Sequence, residues 1–199
     1  MLDLAKQHLS TQDEVMKMVI ETVAFPQVVS TRNVFHDLMS CIVEQQIHYR
    51  STKKLFEKLL GAVNLSLLTP TNFPTFEEAL KEVKLSTRKY ETIHNTLHFF
   101  QENEPDWTTM DDAAVHNQLT GIKGIGGWTA DMILLYTLER PNVCPYDDYH
   151  LKQITQDLYA LKDVKKTTLK NLTKKWLPYQ SFAVKYLLAW KEARKNKSL

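Results

Sequence analysis

Two adjacent carboxylates, Asp147 and Asp148, are the residues of this sequence best placed for chemistry. They follow Pro145 and precede a segment, 149–161, whose pattern predicts a helix. A carboxylate in such a position can stabilise positive charge in a transition state, and it can orient or deprotonate a water molecule. An aspartate at this point can also simply cap the helix, so both roles stay open for each residue.

Glycine is concentrated in one short segment, because four of the five glycines lie between Gly121 and Gly127. Glycine permits positive φ angles and close backbone approach, so a Gly-Ile-Gly turn between two helices exposes its amide groups. The helix predicted to start near Gly127 directs its unpaired amides and positive dipole end to the same place. With Lys123 nearby, the segment predicts a phosphate site. The alternative is a tight turn that only places Ile122 and Ile125 in the core.

The charged residues divide the chain into two regions of opposite sign. Residues 1–119 hold eleven basic and sixteen acidic residues, a net charge of −5, whereas residues 120–199 hold fourteen and seven, a net charge of +7. A basic C-terminal region is typical of a surface that meets phosphate, although a lysine-rich solvated face has the same composition. The charged start and the lack of a long apolar run predict neither a signal peptide nor a membrane span. We therefore expect an intracellular protein, in the cytoplasm or nucleoid if bacterial.

Apolar residues recur at helical spacing nearly throughout, and no segment alternates with the period of a strand. Proline and glycine breaks divide the chain into about ten short helices. Thr75 to Glu78 predicts a capping box, and Thr167 predicts the start of a helix through Trp176. The clearest apolar stripe comprises Phe35, Leu38, Met39, Ile42 and Val43.

Four segments in order resemble the helix-hairpin-helix (HhH-GPD) DNA glycosylases, and specifically their alkylpurine, or 3-methyladenine glycosylase II, branch. They are Ile42–Ile47 with its glutamine pair, the hairpin Gly121–Ala130, the loop Pro145–Lys152, and Trp176–Ala183. The resemblance spans about residues 35–190, which makes it more specific than any one motif.

The resemblance implies an all-α fold, a two-lobed helical bundle that carries the hairpin and a Gly/Pro-Asp loop. We expect one unit over residues 1–199, with approximate lobes of 30–135 and of 1–29 plus 136–199. The chain is too short for the additional N-terminal β domain of larger members, so we expect that domain to be lacking.

The resemblance assigns catalysis to Asp148, which follows Trp128 by twenty positions. This leaves Asp147 as the cap or as a rival. Trp128 occupies the position where members with lyase activity place a nucleophilic lysine, and without that amine no Schiff base forms there. The expected enzyme is therefore a monofunctional glycosylase of base excision repair, which hydrolyses the N-glycosidic bond of alkylated purines such as 3-methyladenine.

The family flips the damaged base out of the duplex, and the resemblance assigns residues to the base and to the DNA. An electron-deficient alkylated purine should stack on an electron-rich ring. The expected contacts to the flipped base are Trp128, Gln45 and Tyr149. The expected contacts to the DNA are Gln46 as a wedge in the emptied stack, the hairpin residues Lys123, Gly124, Gly126, Gly127 and Thr129, and Arg88 and Lys89 at phosphates.

No cofactor is expected for catalysis. Hairpins of this type hold a monovalent cation, Na⁺ or K⁺, on backbone carbonyls, here those of Thr120, Ile122 and Ile125. Cys41 and Cys144 are too few for an iron-sulfur cluster, so none is expected. His94 and His98 share a helix face without a third zinc ligand in the pattern, and we interpret them as ordinary histidines. The expected partner is double-stranded DNA with alkylated bases, which we expect a monomer to bind. No association with a membrane is expected.

Three alternatives stay open. A glycosylase with lyase activity, similar to endonuclease III, is disfavoured by Trp128 and by the missing cysteine cluster. A non-catalytic helix-hairpin-helix DNA-binding module fits the glycines, but it leaves Asp148 and the Gln45–Gln46 pair unexplained. A glycosylase for another class of lesion also fits the motifs.

Overall fold

The computed structural model describes residues 1–44 and 54–197. Side chains are described up to Arg194, with the exception of Lys54. This part of the chain contains helices and no strand, which confirms the predicted all-α class. Its α-helices are α1 (Leu2–Gln12), α2 (Glu14–Thr22), α3 (Val34–Val43), α4 (Lys54–Ala62), α5 (Phe73–Lys81), α6 (Thr87–Glu102), α7 (Asp112–Gly121), α8 (Gly127–Met132), α9 (Tyr149–Leu158), α10 (Lys166–Leu172) and α11 (Gln180–Lys197). A π-helix (Ile133–Thr137) continues α8, and a 3₁₀-helix (Thr173–Trp176) continues α10.

The chain divides into two compact units. One unit comprises Met1–Val29 and Glu139–Leu199, and the other is the continuous segment Ser30–Leu138. The continuous unit therefore holds α3 to α8 and the π-helix, and the two-segment unit holds α1, α2 and α9 to α11. In the described residues no helix is long and apolar enough to cross a lipid bilayer.

Helix α3 forms the centre of the continuous unit, and the apolar stripe predicted from the sequence is buried there. His36 and Asp37 of the same helix are also buried. His36 accepts the Leu68 amide through Nδ1 at 2.9 Å. Asp37 accepts the hydroxyls of Thr31 and Thr137 through Oδ2, at 2.8 and 2.7 Å. Because these groups are hydrogen-bonded, their burial is tolerated.

Two helices begin at residues other than those predicted. Helix α5 begins at Phe73, where Pro74 lies in the first turn and needs no amide partner. The predicted capping residue Thr75 therefore lies inside the helix. Helix α10 begins at Lys166, directly after Lys165 in extended conformation, so Thr167 is also inside its helix.

Asp13 anchors the two-segment unit. Its Oδ1 accepts the amides of Val15 and Met16 and caps α2. Its Oδ2 accepts the Tyr159 hydroxyl at 2.5 Å and Trp176 Nε1 at 2.8 Å, and Lys175 Nζ lies 3.0 Å away. Burial alone would raise the pKa of Asp13, but the hydrogen bonds from Tyr159, Trp176 and Lys175 outweigh burial and hold that pKa below its ordinary value of 3.8. One carboxylate thus joins α2 to residues far away in the sequence.

We predict that Asp13→Asn destabilises the protein. The amide cannot replace a charged acceptor that has three side-chain donors on it, and buried donors lose their partner at a cost of about 3 kcal/mol. Thermal unfolding measures the loss. The matched control is Asp163→Asn. Asp163 is 68% exposed and lies as far as 3.9 Å from Lys165 Nζ, and such a long, exposed ion pair contributes little to stability. Equal melting temperatures for the two variants would contradict the anchoring role.

The same contact predicts a pH dependence. A carboxylate whose pKa is lowered by folding stabilises fully above its unfolded pKa, and this stabilisation is lost as the pH falls through the folded pKa. The difference in stability between wild type and Asp13→Asn should therefore be constant above about pH 5 and shrink below about pH 4. Urea unfolding at a series of pH values tests this. A difference that grows on acidification would show that Asp13 is not held ionised.

Candidate functional site

The glycine-rich segment forms a tight turn between α7 and α8. The Ile125 amide donates to the Ile122 carbonyl at 3.0 Å, and Gly124 at the third position of this turn has φ +102°. A type II turn needs a residue with positive φ at this position, which is why glycine occupies it. Ile122 and Ile125 are 4% and 6% exposed, so both anchor the turn in the core.

Helix α6 supports the turn from one side. A Cβ atom on Gly124 would overlap Thr92 Oγ1 of α6 and would lie 2.8 and 2.9 Å from its Cγ2 and Cβ. Asn95, on the next turn of α6, donates through Nδ2 to the Lys123 carbonyl at 3.0 Å. The hairpin is therefore fixed both by its own turn and by close packing on α6.

The first turn of α8 presents accessible backbone amides. Gly126 is the N-cap residue in extended conformation, and no side chain caps the helix there. Gly126, Gly127, Gly124 and Lys123 are all exposed. Thr129, at 8% exposed, is the one buried residue among the hairpin residues that are predicted to contact DNA. Exposed amides at a helix N-terminus, with a lysine beside them, can bind a phosphate group.

Three backbone carbonyls of the hairpin were predicted to hold a monovalent cation. Thr120 lies in the last turn of α7, where carbonyls lack the intrahelical donors of the helix interior. The Ile122 carbonyl accepts the Ile125 amide, and a carbonyl oxygen has a second lone pair available to a cation. Uncharged oxygen donors from a short turn fit Na⁺ or K⁺.

Trp128 is the second residue of α8 and is half-buried. Arg88, in the first turn of α6, is exposed, whereas Lys89 donates through Nζ to the Val43 carbonyl of α3 at 2.9 Å. Lys89 therefore has a structural contact besides its predicted one to phosphate. Gln45 and Gln46, predicted to contact the base and to wedge into the duplex, lie outside the described residues.

Asp148 caps α9. Its Oδ1 accepts the Leu151 amide at 2.7 Å, and its own amide donates to the Pro145 carbonyl at 2.9 Å, which closes the turn before the helix. The residue is 7% exposed. The sequence left open whether this aspartate caps the helix or performs chemistry, and the cap is confirmed. A carboxylate has two oxygens, so a cap through Oδ1 is compatible with a second role.

Asp147, which the sequence left as the cap or as a rival to Asp148, has a different environment and does not cap α9. Its side chain is 56% exposed and lies 2.6 Å from Lys166 Nζ and 3.7 Å from Lys152 Nζ. The hydrogen bond from Lys166 is the largest influence and holds the pKa of Asp147 below its ordinary value. The two neighbouring carboxylates thus have different environments: one is buried at a helix N-terminus, and the other is part of an exposed ion-pair cluster.

Tyr149 follows Asp148 directly and is 65% exposed, as a residue that contacts a ligand would be. Three polar residues around it were missed by the sequence analysis: His150, Gln153 and Lys191. Gln153 donates to the Tyr149 hydroxyl at 2.6 Å, and Lys191 of α11 contacts both Gln153 and His150. The spacing of Tyr149 and Gln153 on one helix face could have indicated the first contact, but nothing local indicates Lys191.

The two histidines of α6 have carboxylate partners. His94 Nε2 lies 3.2 Å from Glu77, and His98 Nε2 lies 3.3 Å from Glu102. Across the described residues, no group of three His, Cys, Asp or Glu side chains has an arrangement that could hold a metal ion.

Comparison with known proteins shows similarity over most of the chain. Residues 39–178 match the family described as HhH-GPD superfamily base excision DNA repair protein. The crystal structure of a DNA-3-methyladenine glycosidase from Bacillus halodurans superposes on this chain with a TM-score of 0.77 and 30% sequence identity. The superposition covers 98% of this chain and 91% of that one.

Two further relatives extend the comparison. The Bacillus subtilis protein YfjP is 27% identical over 86% of this chain. The matched region is only 64% of the length of YfjP. The Schizosaccharomyces pombe 3-methyladenine DNA glycosylase Mag1, solved in complex with abasic DNA, has a TM-score of 0.80 at 22% identity and covers 96% of each chain. The likeness to Mag1 shows the fold.

We predict that Gly124→Ala destabilises the protein by about 2–4 kcal/mol, because an alanine there combines an unfavourable positive φ with overlap against Thr92. The matched control is Gly121→Ala, since a Cβ at Gly121 meets no atom within 4 Å. Urea unfolding of both variants checks the prediction. If Gly124→Ala were as stable as Gly121→Ala, the turn would not depend on glycine.

Proposed function

This chain belongs to the HhH-GPD superfamily of base excision DNA repair proteins, and we propose that it is a monofunctional DNA glycosylase that excises alkylated purines, such as 3-methyladenine, from duplex DNA. The observation that carries the proposal is the buried carboxylate at the N-terminus of α9, which belongs to Asp148, the residue to which the resemblance assigns catalysis. The substrate class is supported by the B. halodurans glycosidase, which is similar over 98% of this chain.

The reaction needs one well-placed carboxylate. The bond from the sugar C1′ to the base nitrogen breaks, and its electron pair leaves with the base. An N3- or N7-alkylated purine is already cationic, so it leaves as a neutral molecule without an added proton. Positive charge develops on the sugar, and at about 4 Å and an effective dielectric near 20 an ionised Asp148 would stabilise that charge by roughly 4 kcal/mol. Water then adds at C1′ and loses a proton to a carboxylate that acts as general base, for which Asp148 is the candidate.

The side chain at position 128 supports hydrolysis without strand cleavage. A lyase needs an amine that attacks C1′ and forms a Schiff base. Trp128 has no such amine. Its half-buried ring instead offers a stacking face for a cationic purine, as does the exposed ring of Tyr149.

DNA is bound through its backbone by the hairpin. The exposed amides of Gly126 and Gly127 and the ammonium of Lys123 form a positive site for phosphate, and exposed Arg88 offers a second contact. We propose that Na⁺ or K⁺ binds the carbonyls of Thr120, Ile122 and Ile125. When bound, the cation supplies positive charge that attracts a phosphate oxygen. Gln45 and Gln46 keep their proposed roles at the flipped base and in the emptied stack.

We predict that the wild-type protein, incubated with methylated duplex DNA without added divalent metal, releases 3-methyladenine and 7-methylguanine that chromatography detects. Untreated duplex is the control and should release neither base. The DNA strand should stay intact until alkali or heat cleaves it at the abasic sites, and borohydride should trap no covalent adduct.

Three other outcomes would each favour a different function. Binding of DNA without release of any base would indicate the non-catalytic module. A borohydride-trapped adduct would indicate a lyase. Release only from duplexes that carry deaminated or oxidised bases would assign a different lesion class.

A further inference from the structure

A chain of hydrogen bonds connects the residue after Asp148 to α11. Gln153 Nε2 donates to the Tyr149 hydroxyl oxygen at 2.6 Å. Lys191 Nζ donates to Gln153 Oε1 at 2.9 Å and lies 2.7 Å from His150 Nδ1. Gln153, Lys191 and His150 are half-buried, whereas Tyr149 is 65% exposed. The chain thus runs from a half-buried lysine to an exposed aromatic residue.

Lys191 sets the direction of every hydrogen bond in this chain. An ammonium group has three donors and no acceptor, so the atom of Gln153 that faces it must be the amide oxygen. The amide nitrogen of Gln153 then faces Tyr149 and donates to its hydroxyl oxygen. The reverse orientation would place two donors, Gln153 Nε2 and Lys191 Nζ, against each other. By the same reasoning His150 Nδ1 is an acceptor.

The direction of the chain determines what Tyr149 can offer. Its hydroxyl oxygen is used as an acceptor by Gln153, so its hydrogen does not point along the chain and is left to donate elsewhere. The ring projects from the first residue of α9, immediately after the carboxylate of Asp148. A ligand at this exposed ring therefore meets a hydrogen-bond donor of fixed polarity.

We propose that Gln153 and Lys191 are positioning residues that orient the Tyr149 hydroxyl as a donor to an acceptor atom of the damaged purine, a ring nitrogen or a carbonyl oxygen. This inference rests on the proposed glycosylase function, because it takes the excised base as the ligand of Tyr149. In this proposal Lys191 of α11 determines that the Tyr149 hydroxyl donates its hydrogen bond, and that donor contributes to recognition of the substrate.

Substitution of Gln153 by glutamate tests polarity separately from packing. In Gln153→Glu the side chain keeps its size and gains an ion pair with Lys191, but a carboxylate only accepts, so the Tyr149 hydroxyl must turn to donate inward. If Gln153 only stabilised the packing of α9 on α11, Gln153→Glu would keep or increase the stability and would leave the rate of base release unchanged. The matched control is Gln156→Glu, which adds the same charge to an exposed position of the same helix.

The experiment measures single-turnover release of 7-methylguanine and 3-methyladenine, together with melting temperature. We expect Gln153→Glu, Lys191→Met and Tyr149→Phe each to slow release about five- to tenfold, the effect of losing one neutral hydrogen bond. We expect Gln156→Glu to match the wild type, and Lys191→Arg, which keeps the donors, to recover most of the rate. In a Tyr149→Phe background, Gln153→Glu should have no further effect.

The outcomes separate this inference from the proposed function. If the wild type releases bases and Gln153→Glu releases them equally fast, the inference is overturned and the function stands. A loss in Gln153→Glu that persists in full in the Tyr149→Phe background also overturns it. If the wild type releases no base, the proposed function fails and this inference fails with it.

Discussion

Helix α9 is capped at its N-terminus and held by contacts at its C-terminus and along one side, and the chemistry proposed for this protein depends on that restraint. At its N-terminus the Asp148 carboxylate accepts the Leu151 amide. At its C-terminus the hydroxyl of Tyr159 donates to the buried Asp13. Between the two ends Lys191 of α11 contacts His150 and Gln153. A catalytic carboxylate needs a fixed position, and this helix provides one because each of its turns has a partner elsewhere in the same unit.

The hairpin obtains its rigidity by a different route. Its turn needs positive φ at Gly124, and α6 leaves no room for a side chain there because Thr92 lies against the backbone. Ile122 and Ile125 bury the two ends of the turn. The consequence is a group of exposed residues whose backbone is fixed before phosphate approaches, which is the pre-organisation that a DNA backbone site needs.

The sequence predicted the elements whose signals are local. Helical spacing indicated the all-α class and the buried stripe of α3, and four clustered glycines indicated the hairpin. Local signals did not decide between equivalent candidates. Asp147 and Asp148 are both good capping residues, and only the backbone turn closed by Pro145 selects Asp148. Thr75 and Thr167 have the right chemistry for caps, but each helix starts before them.

The contacts that the sequence could not indicate are those between residues far apart along the chain. Lys166 neutralises Asp147, Lys191 orients Gln153, and Asp13 binds Trp176 across 163 positions. Lys166, Lys191 and Asp13 are ordinary charged residues in the sequence. Their roles come from tertiary packing, which the local sequence does not specify.

The most direct measurement of the central claim compares Asp148→Asn with Asp147→Asn in single-turnover base release and in thermal unfolding. Asparagine caps helices as well as aspartate does, so Asp148→Asn should keep the melting temperature within a few degrees while it loses the charge. We expect its rate of release to fall at least about 100-fold, with Asp147→Asn within about threefold of the wild type. Full activity in Asp148→Asn, or loss of activity in Asp147→Asn instead, would contradict the assignment of catalysis to Asp148.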